Sequence, residues 1–159
     1  MRFAGGIKQD GVETLLSFEI SAREEALLLE VLRMYPVLED SHHRIRREGG
    51  EAGSDEQRVL EEAMAQLRES HQQKLEELLG APERIFKDGA GRRRMVLTGQ
   101  QLEWLLQVLN DIRVGSWVRL GCPDPEQTRD VKAGDANARD VAAMHISGGF
   151  QAVLLEAVQ

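Results

Sequence analysis

The chain has a single cysteine, Cys122, among its 159 residues. One thiol excludes an internal disulfide framework, and it fits a protein of a reducing compartment. The amino-terminal segment lacks an apolar stretch behind basic residues, so no secretory signal is predicted there. No run approaches the roughly 18 consecutive apolar residues that indicate a membrane-spanning helix. These absences predict a cytoplasmic protein with no membrane partner.

Aromatic residues are also scarce, at two Trp, one Tyr and four Phe. Acidic residues outnumber basic ones and give a formal net charge of −7. Nucleic acids and anionic lipids attract positive charge, and single-stranded nucleic acid also stacks on aromatic rings. The arginine clusters of this chain contain no aromatic residue. The composition therefore argues against nucleic-acid binding.

The remaining composition is that of an ordinary globular protein, with 42% hydrophobic and 30% charged residues. A chain of this length can bury about 68–70% of its unfolded surface in one core. We therefore expect one domain that spans residues 1–159.

The first twenty residues have the pattern of a β-hairpin. Two arms, Arg2 to Gln9 and Val12 to Ile20, flank an Asp-Gly dipeptide that suits a tight turn. Gly5 and Gly6 predict a bulge in the first arm. A short strand from Arg93 to Leu97 is expected to complete a small antiparallel sheet with this hairpin.

Two helices are predicted in the first half of the chain. Ser21 and Glu24 form a capping-box pattern before a helix that Pro36 ends. Residues 37–53 are expected to be an exposed loop. The second helix runs from Ser54 to about Leu79 and carries one narrow apolar seam, formed by Leu60, Met64, Leu67, His71, Leu75 and Leu78. Such a seam indicates a helix that lies against one neighbour, or one half of a helix pair between subunits.

The third helix, after a cap at Thr98 with Gln101, has apolar residues on almost every side. A helix of this kind is usually buried with neighbours on more than one face. The last helix is predicted to begin at an Asn137 cap and to continue through Gly148 and Gly149, where a neighbour could approach closely. The predicted fold is mainly α, in the α+β class, with about four helices around the third helix.

One segment resembles a known family. It consists of the strand Arg93-Arg-Met-Val-Leu97, then Leu102 and Trp104-Leu-Leu-Gln-Val-Leu-Asn-Asp-Ile-Arg113, and then Arg119-Leu-Gly121. These motifs resemble a bacterial helical family known only as a domain of unknown function. The resemblance is specific over about 30 residues, and the region from Val37 to Lys87 departs from it. It implies a compact, mainly helical bacterial protein and carries over no catalytic residue.

Polar residues within the third helix are candidates for a ligand site. Arg113 projects close to the centre of the main apolar face, and Asn110 and Asp111 lie beside it in sequence. With His145 of the last helix, they could form a pocket for a carboxylate or phosphate. The alternative is structural: a buried ion pair, or an arginine whose stem packs while its head stays in water.

Two arginine clusters are candidates for an anion site or a partner surface: Arg44, Arg46 and Arg47 in the loop, and Arg92, Arg93 and Arg94 at the start of the strand. They could equally be solvated surface. The four histidines, His42, His43, His71 and His145, match no metal-binding motif, so no metal or cofactor is predicted. A desolvated His71 in the apolar seam could give a pH-sensitive contact.

No acid, base, nucleophile or metal set converges in the sequence, which favours a non-catalytic protein over an enzyme. We expect an interaction or regulatory module that forms a homodimer through the seam of the second helix. A small-ligand protein or enzyme with a pocket around Arg113 is one alternative. A binder of an anionic partner through the arginine clusters is the other.

Overall fold

The computed structural model describes residues 1–9, 13–38, 54–80, 85–124, 126–128, 132 and 135–158. In these ranges the elements are β1 (Arg2–Gln9), β2 (Glu13–Glu19), α1 (Ala22–Leu32), α2 (Ser54–Gly80), β3 (Ile85–Lys87), β4 (Arg93–Leu97), α3 (Gly99–Arg119) and α4 (Ala138–Leu155). The predicted mainly helical α+β fold is confirmed. The Asp-Gly turn of the hairpin and the loop cluster of His42, His43, Arg44, Arg46 and Arg47 lie outside the described residues.

The strands form one antiparallel sheet in the order β1-β2-β4-β3. The predicted bulge is present, because the β1–β2 register shifts between Phe3 and Gly5, and Gly5 has a φ of 115° that glycine adopts without strain. Strand β4 pairs with β2 as predicted, and it places Met95 opposite Phe18. Strand β3 was not predicted from the sequence; its three residues pair with β4 at the sheet edge.

Local capping sets where two of the helices begin. Ser21 with Glu24, and Thr98 with Gln101, form both hydrogen bonds of the capping box, as predicted. The Asn137 cap of α4 is wrong. Asn137 has helical backbone angles (φ −91°, ψ −2°), and its side chain makes no capping hydrogen bond. An N-cap needs an extended backbone to turn its side chain back onto the first amides.

Helix α3 lies at the centre of the core, as its two-sided apolar pattern predicts. Leu105, Val108 and Leu109 are fully buried, and they share one cluster with side chains from the sheet, α1 and α4. Helix α4 packs closely along α3. Ser116 of α3 and Ser147 of α4 are fully buried. Within the described residues their hydroxyls have no hydrogen-bond partner.

Gly115 lets the segment after α1 approach α3. A Cβ atom at Gly115 would lie 2.9 Å from the Val37 Cβ and 3.3 Å from the Leu38 Cγ. Val37 and Leu38 are therefore half-buried rather than part of an exposed loop. Helix α4 is continuous through Gly148 and Gly149, as predicted. The close neighbour expected there is absent at Gly149, where no described atom lies within 4 Å of a Cβ position.

Among the helices in the described ranges, none has the length and apolar composition needed to cross a membrane.

Candidate functional site at the α2 and α3 junction

Helix α2 runs alongside α3 in the opposite direction. Met64 and Arg68 share one cleft with Asp111 and Val114, whereas residues further along α2 face the earlier part of α3. The junction thus brings the predicted seam of α2 onto the side of α3 that does not contact α4. Along this junction lie the buried His71 and two clefts.

His71 is the polar centre of the junction. Its side chain is only 2% exposed, and its Nδ1 lies 3.3 Å from the hydroxyl oxygen of Tyr35, which is 8% exposed. The two rings are tilted by 50° with centroids 6.0 Å apart. The His71 ring also hydrogen-bonds the side chain of Gln107. The buried imidazole thus has polar partners on Tyr35 and Gln107, as buried polar groups generally do.

The environment of this pair favours two neutral rings. Burial raises the pKa of Tyr35 to about 12, the Asp111 carboxylate adds to the rise, and Arg68 opposes it. Burial also lowers the pKa of His71 below its usual 6.5. Asp111 and the bond to Gln107 raise that pKa, and Lys74 lowers it. Desolvation is the largest cause in both cases, because the low-dielectric site disfavours charge.

Two clefts flank the Tyr35–His71 pair. The larger has a volume of about 520 Å³, and its walls include Trp104, His71, Leu78 and Lys74. The smaller, of about 100 Å³, lies on the other side between Met64 and the Val114 region of α3. The larger volume is within the range that holds small ligands. Its buried polar group, His71, is however already bonded within the chain.

The seam of α2 divides into two halves. In the carboxyl-terminal half, His71 and Leu75 are buried and Leu78 is half-buried. In the amino-terminal half, Leu60 and Leu67 are 39% and 44% exposed, and the adjacent Val59 is 61% exposed. The folded chain therefore covers only part of the stripe that the sequence predicts to be buried.

Of the four residues predicted to form a ligand site, Arg113 and His145 line neither of the two clefts described above. Arg113 is exposed, which corrects its expected place within the apolar face; its Nη1 lies 3.5 Å from the Gln151 Oε1. His145 of α4 is exposed. Asn110 and Asp111 are exposed and line the small cleft beside Tyr35. Asp111 thus belongs to the His71 site.

The three arginines at the start of β4 form ion pairs within the chain. The Asp88 carboxylate accepts from Arg92 Nε at 3.0 Å and Arg94 Nε at 3.1 Å, and Arg93 Nη1 pairs with Glu25 at 2.5 Å. The same carboxylate accepts from the backbone amides of Ala90 and Arg92. These arginines, which were candidates for binding an external anion, therefore bind carboxylates of the same chain.

Tyr35 and Gln107 were not predicted as site residues. His71 within an apolar seam signals that some polar partner must be present, because a buried imidazole left unpaired is costly. The sequence does not say which residue supplies it, since Tyr35 and Gln107 are 36 residues away on either side.

Within the described ranges, no group of three His, Cys, Asp or Glu side chains could hold a metal ion. No protein-family model, curated protein or solved structure matches the chain.

Proposed function

We propose that the protein is a non-catalytic interaction module that self-associates through the amino-terminal half of α2. The observation that carries this proposal is the exposure of Val59, Leu60 and Leu67 beside a buried His71 on the same helix. Apolar side chains that recur along one face of a helix favour a contact that removes them from water.

The spacing of the stripe suits another helix as its partner. Leu60, Met64 and Leu67 follow each other at intervals of four and three residues, which is the repeat of paired helices. A second copy of the chain presents the same stripe, and a twofold axis brings the two stripes together. Arg58 and Glu62 flank the stripe with both signs of charge, so two copies need not oppose like charges.

Self-association is favoured over ligand binding because the buried polar side chains described at this junction, Tyr35 and His71, already bond each other. In the larger cleft, the buried polar group is occupied by Tyr35 and Gln107. The exposed stripe, by contrast, has no described cover. The single thiol, Cys122, is exposed, which suits the cytoplasmic setting that we propose.

Light scattering coupled to size-exclusion chromatography tests the proposal. The wild-type chain is expected to elute as a dimer whose fraction rises with concentration. The double variant Leu60→Glu and Leu67→Glu is expected to be monomeric, because two carboxylates in an apolar seam remain unpaired. The control is Gln66→Glu with Gln73→Glu, which adds the same charge on exposed positions of α2 and should keep the dimer. A wild-type monomer at every concentration would contradict the proposal.

A further inference from the structure

The buried histidine of α2 holds that helix against the rest of the chain. Along the described part of α2, His71 and Leu75 are its buried side chains, and clefts open on either side of His71. The contact between α2 and α3 is thus narrow and centred on one imidazole. A change in the charge of the His71 ring therefore directly affects the contact that holds α2 against α3.

Protonation of His71 reverses the direction of its hydrogen bond with Tyr35. A neutral ring can accept at Nδ1 from the Tyr35 hydroxyl, and it also hydrogen-bonds the Gln107 side chain. An imidazolium donates from both nitrogens, so the Tyr35 hydroxyl must turn its proton towards a new acceptor. Tyr35 remains a neutral phenol and cannot supply a compensating charge.

The charged groups around His71 offset each other. On its own helix, Lys74 opposes protonation of the ring. From α3, Asp111 favours the imidazolium, but this carboxylate is exposed, so solvent screens it. From the segment after α1, the neutral Tyr35 contacts the ring. Burial therefore dominates, and a docked imidazolium is unfavourable.

We propose that His71 is a pH-sensitive latch: protonation of its ring releases the carboxyl-terminal half of α2 from α3 and opens the cleft over Trp104. The direction follows from linkage. The released helix binds the proton with the ordinary histidine affinity, whereas the docked helix binds it more weakly. Docking is therefore strongest above about pH 6.5 and weakens as the pH falls below that value. The latch lies within one chain and does not depend on self-association.

The test uses Trp104 as its reporter. The chain has two tryptophans, and Trp117→Phe leaves Trp104, which lines the larger cleft and is 7% exposed. Acrylamide quenching of its fluorescence is followed from about pH 8 to about pH 5, the range in which histidine titrates. We expect the quenching constant to rise several-fold as the pH falls, while hydrogen exchange in α3 stays slow.

Variants of His71 and its surroundings distinguish release caused by His71 from a general loss of stability in acid. His71→Leu continues the apolar seam and should give quenching that does not change with pH. His145→Gln removes an exposed histidine and should behave as the wild type. Asp111→Asn removes the carboxylate that favours the docked imidazolium, so release should occur at higher pH. Leu60→Glu, which weakens self-association, should leave the pH profile unchanged.

Three results would overturn the latch. The first is quenching of Trp104 that is independent of pH in the wild-type background. The second is an unchanged pH response in His71→Leu. The third is loss of protection in α3 together with α2, which would indicate global unfolding instead of release of one helix.

Discussion

At the scale of single residues, Gly115 and Gly149 lie inside helices for different reasons. Gly115 faces Val37 at a distance that leaves no room for a methyl group, whereas Gly149 has open space. Glycine in a helix interior costs about 0.5–1 kcal/mol relative to alanine, so close packing must compensate at Gly115. No such compensation exists in the described surroundings of Gly149.

The two glycines make a matched pair of stability predictions. Gly149→Ala should raise the free energy of unfolding by about 0.5–1 kcal/mol through helix propensity alone. Gly115→Ala should lower it by about 1–3 kcal/mol, because the Val37 Cβ is attached to backbone and must shift. Urea unfolding followed by circular dichroism measures both. Equal stabilisation by the two alanines would show that Val37 does not press on α3.

Arg113 shows where residue-level prediction fails. Buried residues, among them Val108 and Ser116, join the two apolar faces of α3 into one wide buried surface that forms an arc around the helix. The centre of that arc lies away from Arg113, which is left at its edge beside the half-buried Leu106. A projection of the sequence gives the spacing around a helix axis. It does not give the direction from which the neighbouring helices approach.

At the scale of elements, features with local causes could be predicted. The capping boxes of α1 and α3 were found because both partners lie within four residues, and the β1 bulge was found through Gly5. Strand β3 was missed because its three residues have no periodicity of their own and pair only through β4. The seam of α2 was correctly placed on one face, but the sequence did not show that Leu60 and Leu67 stay exposed.

The β3–β4 hairpin gives a pH prediction at this scale. Hydrogen bonds to Asp88, first from the Arg92 amide and then from Arg94 and Ala90, lower the pKa of its carboxyl to about 2 from 3.8. Because the folded pKa is below the unfolded one, the carboxylate stabilises the fold above about pH 4 and loses this effect as the pH falls towards 2. This loss of stability occurs at a lower pH than the release expected from protonation of His71, so the two effects can be measured separately.

Comparison of wild type with Asp88→Asn tests this hairpin. The variant should unfold at lower urea concentration near neutral pH, since an amide cannot replace the charged acceptor of two guanidinium groups. The difference in unfolding urea concentration between wild type and variant should become smaller below about pH 4 and disappear near pH 2. Glu30→Gln, on the exposed side of α1, serves as the control for the loss of one negative charge. A stability difference between wild type and Asp88→Asn that stays unchanged down to pH 2 would exclude the Asp88 carboxylate as its cause.

At the scale of the whole molecule, the core and the amino-terminal half of α2 differ in how they are held. The sheet, α1, α3 and α4 share one hydrophobic cluster, to which α2 contributes Leu75 and, in part, Leu78. The sequence predicted a central helix because apolar residues surround α3. The sequence did not predict that α2 lies against α3. The width of an apolar seam indicates how many neighbours a helix has, but it does not identify them.

Hydrogen exchange read by mass spectrometry at low and at high protein concentration tests the central claim, that the core is complete while half of α2 is left to bind a second copy. We predict slow exchange in α3 at both concentrations. Residues 54–67 should exchange quickly at low concentration and become protected at high concentration. Protection of residues 54–67 that is already complete at low concentration, or exchange in α3 within seconds, would contradict the account.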